Sequence, residues 1–325
     1  MDNTDQPATQ RATNRAEREE VRSARKPLLL LVKVVGSGVL LFLLLSRLRL
    51  SELVVALREA DGIYLGLAVL AGLLFLLVRA YKWFLIVRPY LVVPRFYTVL
   101  VSYMFALGIS IFTPGRVGEI ARIGGIGVTQ KSAPAALFLF DRFVDVLVVF
   151  SMAVLGMYLL LPYKSYALVL FILLSVSVMG LFCIPRIYGS LQRLIARLPF
   201  GTKLDRLFRS VALMERGTIA LNILLTLGSY TICIFEVYLI LRAFCNPKLS
   251  TVLAVHPLVM VTNILPVTIG GLGLREGASV VLYGRFGIPE EHAFWAGFLI
   301  FVFNTLLHGI VGTVLINVRT GRRAA

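Results

Sequence analysis

The side chains best placed to do chemistry in this chain are the ionisable ones that interrupt apolar runs, because a charge at membrane depth is costly unless it is paired or hydrated. Asp141, Arg142 and Asp145 interrupt the run from Ala133 to Leu161. The two carboxylates stand four residues apart, so a helix puts them on one face. With a single local arginine they leave a negative charge unmatched, which another cation, a proton or a cationic ligand group would balance. An internal ion pair that only holds helices together is the plainer possibility. A second group follows TPGRVG (Thr113 to Gly118) and comprises Arg116, Glu119 and Arg122. A third, Arg275 and Glu276, follows TIGGLG (Thr268 to Gly273). A broken helix exposes backbone N–H groups and a positive dipole end, and beside arginine this makes a site for an anionic group such as phosphate. On this reading Arg116 and Arg275 hold the anion and Glu119 and Glu276 orient them. The breaks are made by Pro114, Gly115 and Gly118 in one segment and by Pro266, Gly270, Gly271 and Gly273 in the other; two purely structural hairpins are the alternative. Glu236 lies deep in another run with no cation near it in sequence before Arg242. It either pairs across helices or carries a proton. Arg79, Lys82 and Trp83 end a run and read as snorkelling anchors with an interfacial aromatic.

These residues need an apolar frame, and the composition supplies one. Of 325 residues 58% are hydrophobic and 15% charged, with a mean hydropathy of +0.86, which excludes a soluble globular enzyme. Eight strongly apolar runs follow one another: Leu28 to Ser46, Ile63 to Val87, Phe96 to Phe112, Ala133 to Leu161, Tyr166 to Ile184, Thr218 to Leu241, Thr251 to Ile269 and Ala293 to Ile316. Each is long enough to approach or complete a bilayer crossing. The net charge of +16 fits basic loops against anionic lipid rather than nucleic acid. Residues 1–27 read as a disordered cytoplasmic tail, 28–318 as one transmembrane domain and 319–325 as a basic cytoplasmic C-terminus. Within the domain, 185–217 reads as an amphipathic loop on the cytoplasmic leaflet. The cysteines Cys183, Cys233 and Cys245 have no spacing that suggests a disulfide framework or a zinc site, and no cofactor or metal is expected.

Two of the eight runs, Phe96 to Phe112 and Thr251 to Ile269, lead straight into Gly/Pro-rich sequence that cannot stay helical. Charge decides how to treat them. Lys and Arg collect on the cytoplasmic side. The tail, Arg79 to Arg95, Arg186 to Arg216 and the C-terminus hold 20 basic residues, against six in the intervening segments. Keeping the 20 on one side requires each Gly/Pro region to enter and leave the membrane on the same side. The fold class expected is therefore all-α and polytopic, with about six full transmembrane helices plus two opposed re-entrant hairpins and both termini cytoplasmic. Hairpins inserted from opposite sides are what an inverted repeat predicts, and TPGRVG and TIGGLG share Thr, Gly and Gly at matching positions.

No nucleophile motif, zinc-protease motif or nucleotide loop occurs in the chain. RAYKW at Arg79, FTPGRVGEIARI at Phe112, FDRFVDVL at Phe140 and LPVTIGGLGLREGA at Leu265, in this order, resemble the membrane domain of lysylphosphatidylglycerol synthases, the multiple peptide resistance factors. The resemblance covers Leu28 to Val318. It implies a module that flips lipids between leaflets, here without the cytoplasmic synthase domain, and it marks Arg116, Glu119, Asp141, Arg142, Asp145, Arg275 and Glu276 as the family-like positions. The expectation is a lipid translocase of the cytoplasmic membrane, without catalytic residues, handling a phospholipid or a polyprenyl phosphate lipid. A scaffold subunit for a lipid- or glycan-modifying enzyme and an intramembrane headgroup enzyme are the rivals.

Overall fold

The computed structural model describes residues 50–113, 116–128, 132–160, 172, 209, 211–262, 264, 268 and 270–324. The predicted tail, the run Leu28 to Ser46, all but one residue of the run Tyr166 to Ile184, most of the 185–217 loop and the break residues Pro114, Gly115 and Pro266 lie outside them. The described residues form an all-α, multi-pass membrane architecture. Three helical stretches, Gly62–Tyr90, Arg216–Phe244 and Glu290–Val318, are each 29 residues long and apolar enough to cross a membrane.

A short amphipathic helix, α1 (Leu50–Glu59), begins the described part. Glu52 in its first turn and Arg58 in its last complement the helix dipole. It docks through buried Leu53, whose carbonyl accepts a hydrogen bond from Trp295 Nε1 at 3.0 Å. Asp61 then caps α2 (Gly62–Val87), its Oδ1 accepting the Ile63 N–H at 2.8 Å. Pro89, in a single 3₁₀ turn, ends the span.

The central pair is α2 with α5 (Arg216–Phe244). They run antiparallel, since the Asp61 N–H donates to the Ala243 carbonyl at 2.9 Å while Lys82, about six turns further along α2, reaches Thr226 in the first half of α5. The first hairpin comprises α3 (Phe96–Ile111) and a 3₁₀ helix, Val117–Ile123. Its two legs stay together: Ser102 Oγ donates to the Arg122 carbonyl at 2.8 Å, and the Val92 N–H donates to the Gly127 carbonyl at 2.9 Å. The chain thus returns to the end of the bundle where α2 finished, and α4 (Ser132–Leu160) starts from there. The second hairpin, α6 (Leu249–Thr262) and α7 (Leu274–Gly284), leaves and returns at the opposite end. His292, at the start of α8 (Glu290–Phe301), stacks on Phe244 at the end of α5, with ring centroids 5.7 Å apart. A single π turn, Val302–Leu306, joins α8 to α9 (Leu307–Ala324), which carries the helix on through the basic C-terminal segment.

Each hairpin packs on the long helix of the other half. The pairs are α3 with α9 and α6 with α4. Glycine makes both approaches close: a Cβ on Gly312 would lie 2.4 Å from the Met104 backbone, and one on Gly156 would lie 2.2 Å from the Ala254 carbonyl oxygen. Exchanged packing about an antiparallel central pair is the pattern of an inverted repeat. The two breaks nevertheless differ in backbone. Arg116 turns the first in a left-handed conformation (φ 57°), whereas Gly270, Gly271 and Gly273 supply positive φ in the second.

Candidate functional site

The first hairpin closes over an ionic cluster built by α2, α4, α5 and the 3₁₀ helix. Arg79 grips Asp145 with two nitrogens, at 2.6 and 3.2 Å. Lys82 Nζ bridges Asp145 at 2.7 Å and Asp141 at 3.0 Å, and donates to Thr226 Oγ1 at 2.9 Å. Asp141 also accepts from Arg122 at 2.7 Å and from Asn222 at 3.4 Å. Glu119 pairs with Arg142, which stands 3.6 Å from Asp145, while Arg116 lies 4.0 Å from Glu119. Five cations therefore face three carboxylates.

This geometry revises two readings of the sequence. Arg79 and Lys82 are no interfacial anchors, for their side chains are 5% and 1% exposed and they neutralise both aspartates. The charge left over is positive, not negative. Nor does Trp83 lie at an interface, because its fully buried ring stacks under the Arg122 guanidinium at 4.0 Å. Phe138 covers the same guanidinium at 4.7 Å. Arg122 Nε and Nη1 have no hydrogen-bond partner among the described residues, so the two aromatic faces take the place of water around that charge.

Arg275 and Glu276 form a smaller, neutral unit in the second hairpin. They bind each other directly; Arg275 Nε donates to the Gly297 carbonyl at 2.7 Å, and Glu276 Oε2 accepts the Gly273 N–H at 2.7 Å, capping α7. Gly273 sits at φ 80°, which turns that N–H toward the carboxylate. Phe301 covers the guanidinium at 5.2 Å.

Between the two hairpin tips lies a cavity of about 430 Å³. Tyr103, Arg116 and Glu119 reach it from the first hairpin and His256, Met260 and Arg275 from the second. Arg79, Arg142 and Asp145 line it from α2 and α4. Four arginines thus share the wall with two carboxylates, giving an electropositive pocket. Arg122 and Asp141 stand behind the wall within the ionic cluster, as does Glu276 behind Arg275. Glu236 is represented at the wall by its partner Asn304. Arg116 is the most exposed of the four arginines, its side chain 31% open, and its Nη2 donates to Thr305 Oγ1 at 2.9 Å. On the side formed by Val117, Ile120 and Leu139 the wall is apolar and exposed, so the polar interior meets an apolar outer face.

The break residues hold this arrangement. Gly118 donates its N–H to Thr113 Oγ1 at 2.8 Å, and a Cβ there would lie 2.6 Å from that oxygen. Buried Thr268, its counterpart in TIGGLG, makes no such bond among the described residues.

A family model of the lysylphosphatidylglycerol synthase TM region matches residues 30–312. The chain belongs to that family. It is a multi-pass membrane protein, and the family ties its work to membrane lipids. No curated protein and no solved structure matches it.

Proposed function

We propose that this member of the lysylphosphatidylglycerol synthase TM region family is a lipid translocase that carries a phosphate-bearing lipid between the leaflets of the cytoplasmic membrane. The reading rests chiefly on the cavity, whose wall of four arginines and two carboxylates joins hairpins inserted from opposite ends. Its volume of about 430 Å³ suits a polar headgroup. Val117, Ile120 and Leu139 give acyl chains an apolar surface to follow outside it while the headgroup is inside. Arg116 and Arg275, one from each hairpin, hold the phosphate. Small alternating movements of the two tips open the pocket to one leaflet and then to the other. The protein's own residues bind and release the lipid and break no covalent bond in it. Both termini lie in the cytoplasm, and the partners are membrane lipids.

The test is movement of fluorescent phospholipids and of a polyprenyl phosphate in proteoliposomes, read with a membrane-impermeant quencher. Wild-type protein moves at least one of these lipids, and Arg116→Ala and Arg275→Ala reduce the rate at least tenfold while remaining folded. Equal rates in the wild type and both variants would overturn the reading, as would the absence of any movement by folded, inserted protein.

A further inference from the structure

Behind the cavity, Glu236 is fully buried among α2, α5 and the π turn. Asn304 Nδ2 donates to its Oε2 at 2.7 Å. Glu236 Oε1 and Asn304 Oδ1 are both buried acceptors without a hydrogen-bond partner among the described residues. Both also converge on Gly72: a Cβ there would lie 2.9 Å from Glu236 Oε1 and 3.0 Å from Asn304 Oδ1. Two unpartnered oxygens facing one small space is a repulsive arrangement that a single proton resolves. With a hydrogen on Oε1, the acid donates to the amide oxygen while the amide donates to the acid carbonyl, and the pair closes into a doubly hydrogen-bonded ring.

We infer that Glu236 is a proton-binding site, held as the neutral acid by Asn304, and that its proton sets the grip of the π turn on Arg116. Among the described residues no charged group serves this acid as a counter-ion. On α2, Gly72 faces it, and Arg79, two turns further on, is held by Asp145. The π turn offers Asn304, with His308 one turn beyond. On α5 itself the neighbour is Cys233. Arg142 and Asp145 of α4 sit in the ionic cluster, Arg275 and Glu276 of α7 bind each other, and α6 brings His256 to the shared cavity. On α8 the titratable groups are Glu290, Glu291 and His292, at the far end of the helix.

The π turn connects the acid to the pocket. Asn304 faces Glu236, and the next residue, Thr305, accepts the hydrogen bond from Arg116. A π turn is a locally loosened helix, the kind of element that shifts register at low cost. When the Oε1–H bond breaks and the proton leaves to water, the acid-amide ring opens, Asn304 loses one bond, and the turn that carries Thr305 releases Arg116. The coupling half of this inference rests on the lipid-translocation reading; the proton site stands without it.

Two measurements on lipid-reconstituted protein separate the halves. The infrared carbonyl band of a protonated carboxyl at neutral pH should be present in the wild type, vanish in Glu236→Gln and shift to higher frequency in Asn304→Leu. Identical spectra for wild type and Glu236→Gln would overturn the proton site. In proteoliposomes the wild-type rate should rise several-fold from mildly acidic to mildly alkaline buffer. Glu236→Gln, whose amide keeps both hydrogen bonds permanently, should be several-fold slower and insensitive to pH. Parallel pH profiles would overturn the coupling, whereas a protonated band without any lipid movement would retain the proton site and refute transport.

Discussion

The two hairpins occupy equivalent places in the frame and carry unequal chemistry. The first closes over five cations and three carboxylates shared among two helices and a 3₁₀ turn, whereas the second holds one self-contained pair, Arg275 with Glu276. The skeleton is alike in the two: glycine contacts of the same kind seat each hairpin on the opposite long helix. That likeness does not extend to the ionic cluster, in which α2 and α5 contribute only from the ends nearest the first hairpin. The comparison teaches that like packing does not bring like chemistry: the frame is shared, while the unequal side chains decide where the strongest field lies.

The largest effect should come from the crowded side. Asp145→Ala strands Arg79 and leaves Lys82 with Asp141 as its one carboxylate, and the loss of a buried partner typically costs about 3–5 kcal/mol. Thermal unfolding in detergent should show a clearly lowered Tm for this variant. Arg275→Ala breaks one buried pair but leaves Glu276 the N–H of Gly273, so its penalty should fall at the low end of that range, about 3 kcal/mol. Equal penalties would mean the cluster is no more interdependent than the single pair. The shared frame can be probed with Gly312→Ala and Gly156→Ala, which should each cost about 1–3 kcal/mol by forcing the paired backbones apart. A large difference between the two would break the equivalence of the halves. Trp83→Leu should cost about 2 kcal/mol, through the cavity left by a fully buried ring and the lost ring face over Arg122, and Cys245→Ser should lie within about 0.5 kcal/mol of wild type.

Much of the skeleton was legible because its causes are local or additive. Proline and glycine after an apolar run forbid a continuing helix, and the sum of basic residues on each side then fixes how the chain must return. The hairpins at Phe96–Ile111 and Leu249–Thr262 follow from those two facts. The cluster around Asp141 was half legible. Spacing put two carboxylates on one face, but a basic residue at the end of an apolar run looks the same whether it snorkels to an interface or turns inward. Only the packing of α2 against α4 and α5 separates the two for Arg79 and Lys82. The π turn had no signal, since Val302–Leu306 keeps an ordinary helical pattern, and the Glu236–Asn304 pair spans 68 positions of sequence.

Residue 116 sets backbone comfort against side-chain chemistry. Glycine would accept its left-handed conformation freely, as it does at three positions of the second break, whereas an arginine there carries about 1–2 kcal/mol of strain. A chain selected for stability alone would have given up that side chain. Arg116→Gly is accordingly a substitution in which the two demands separate: it relaxes the turn while removing the most exposed of the four arginines that line the cavity. An inactive but more heat-resistant protein would identify this turn as a place where the fold concedes stability in order to keep a charge within reach of its ligand.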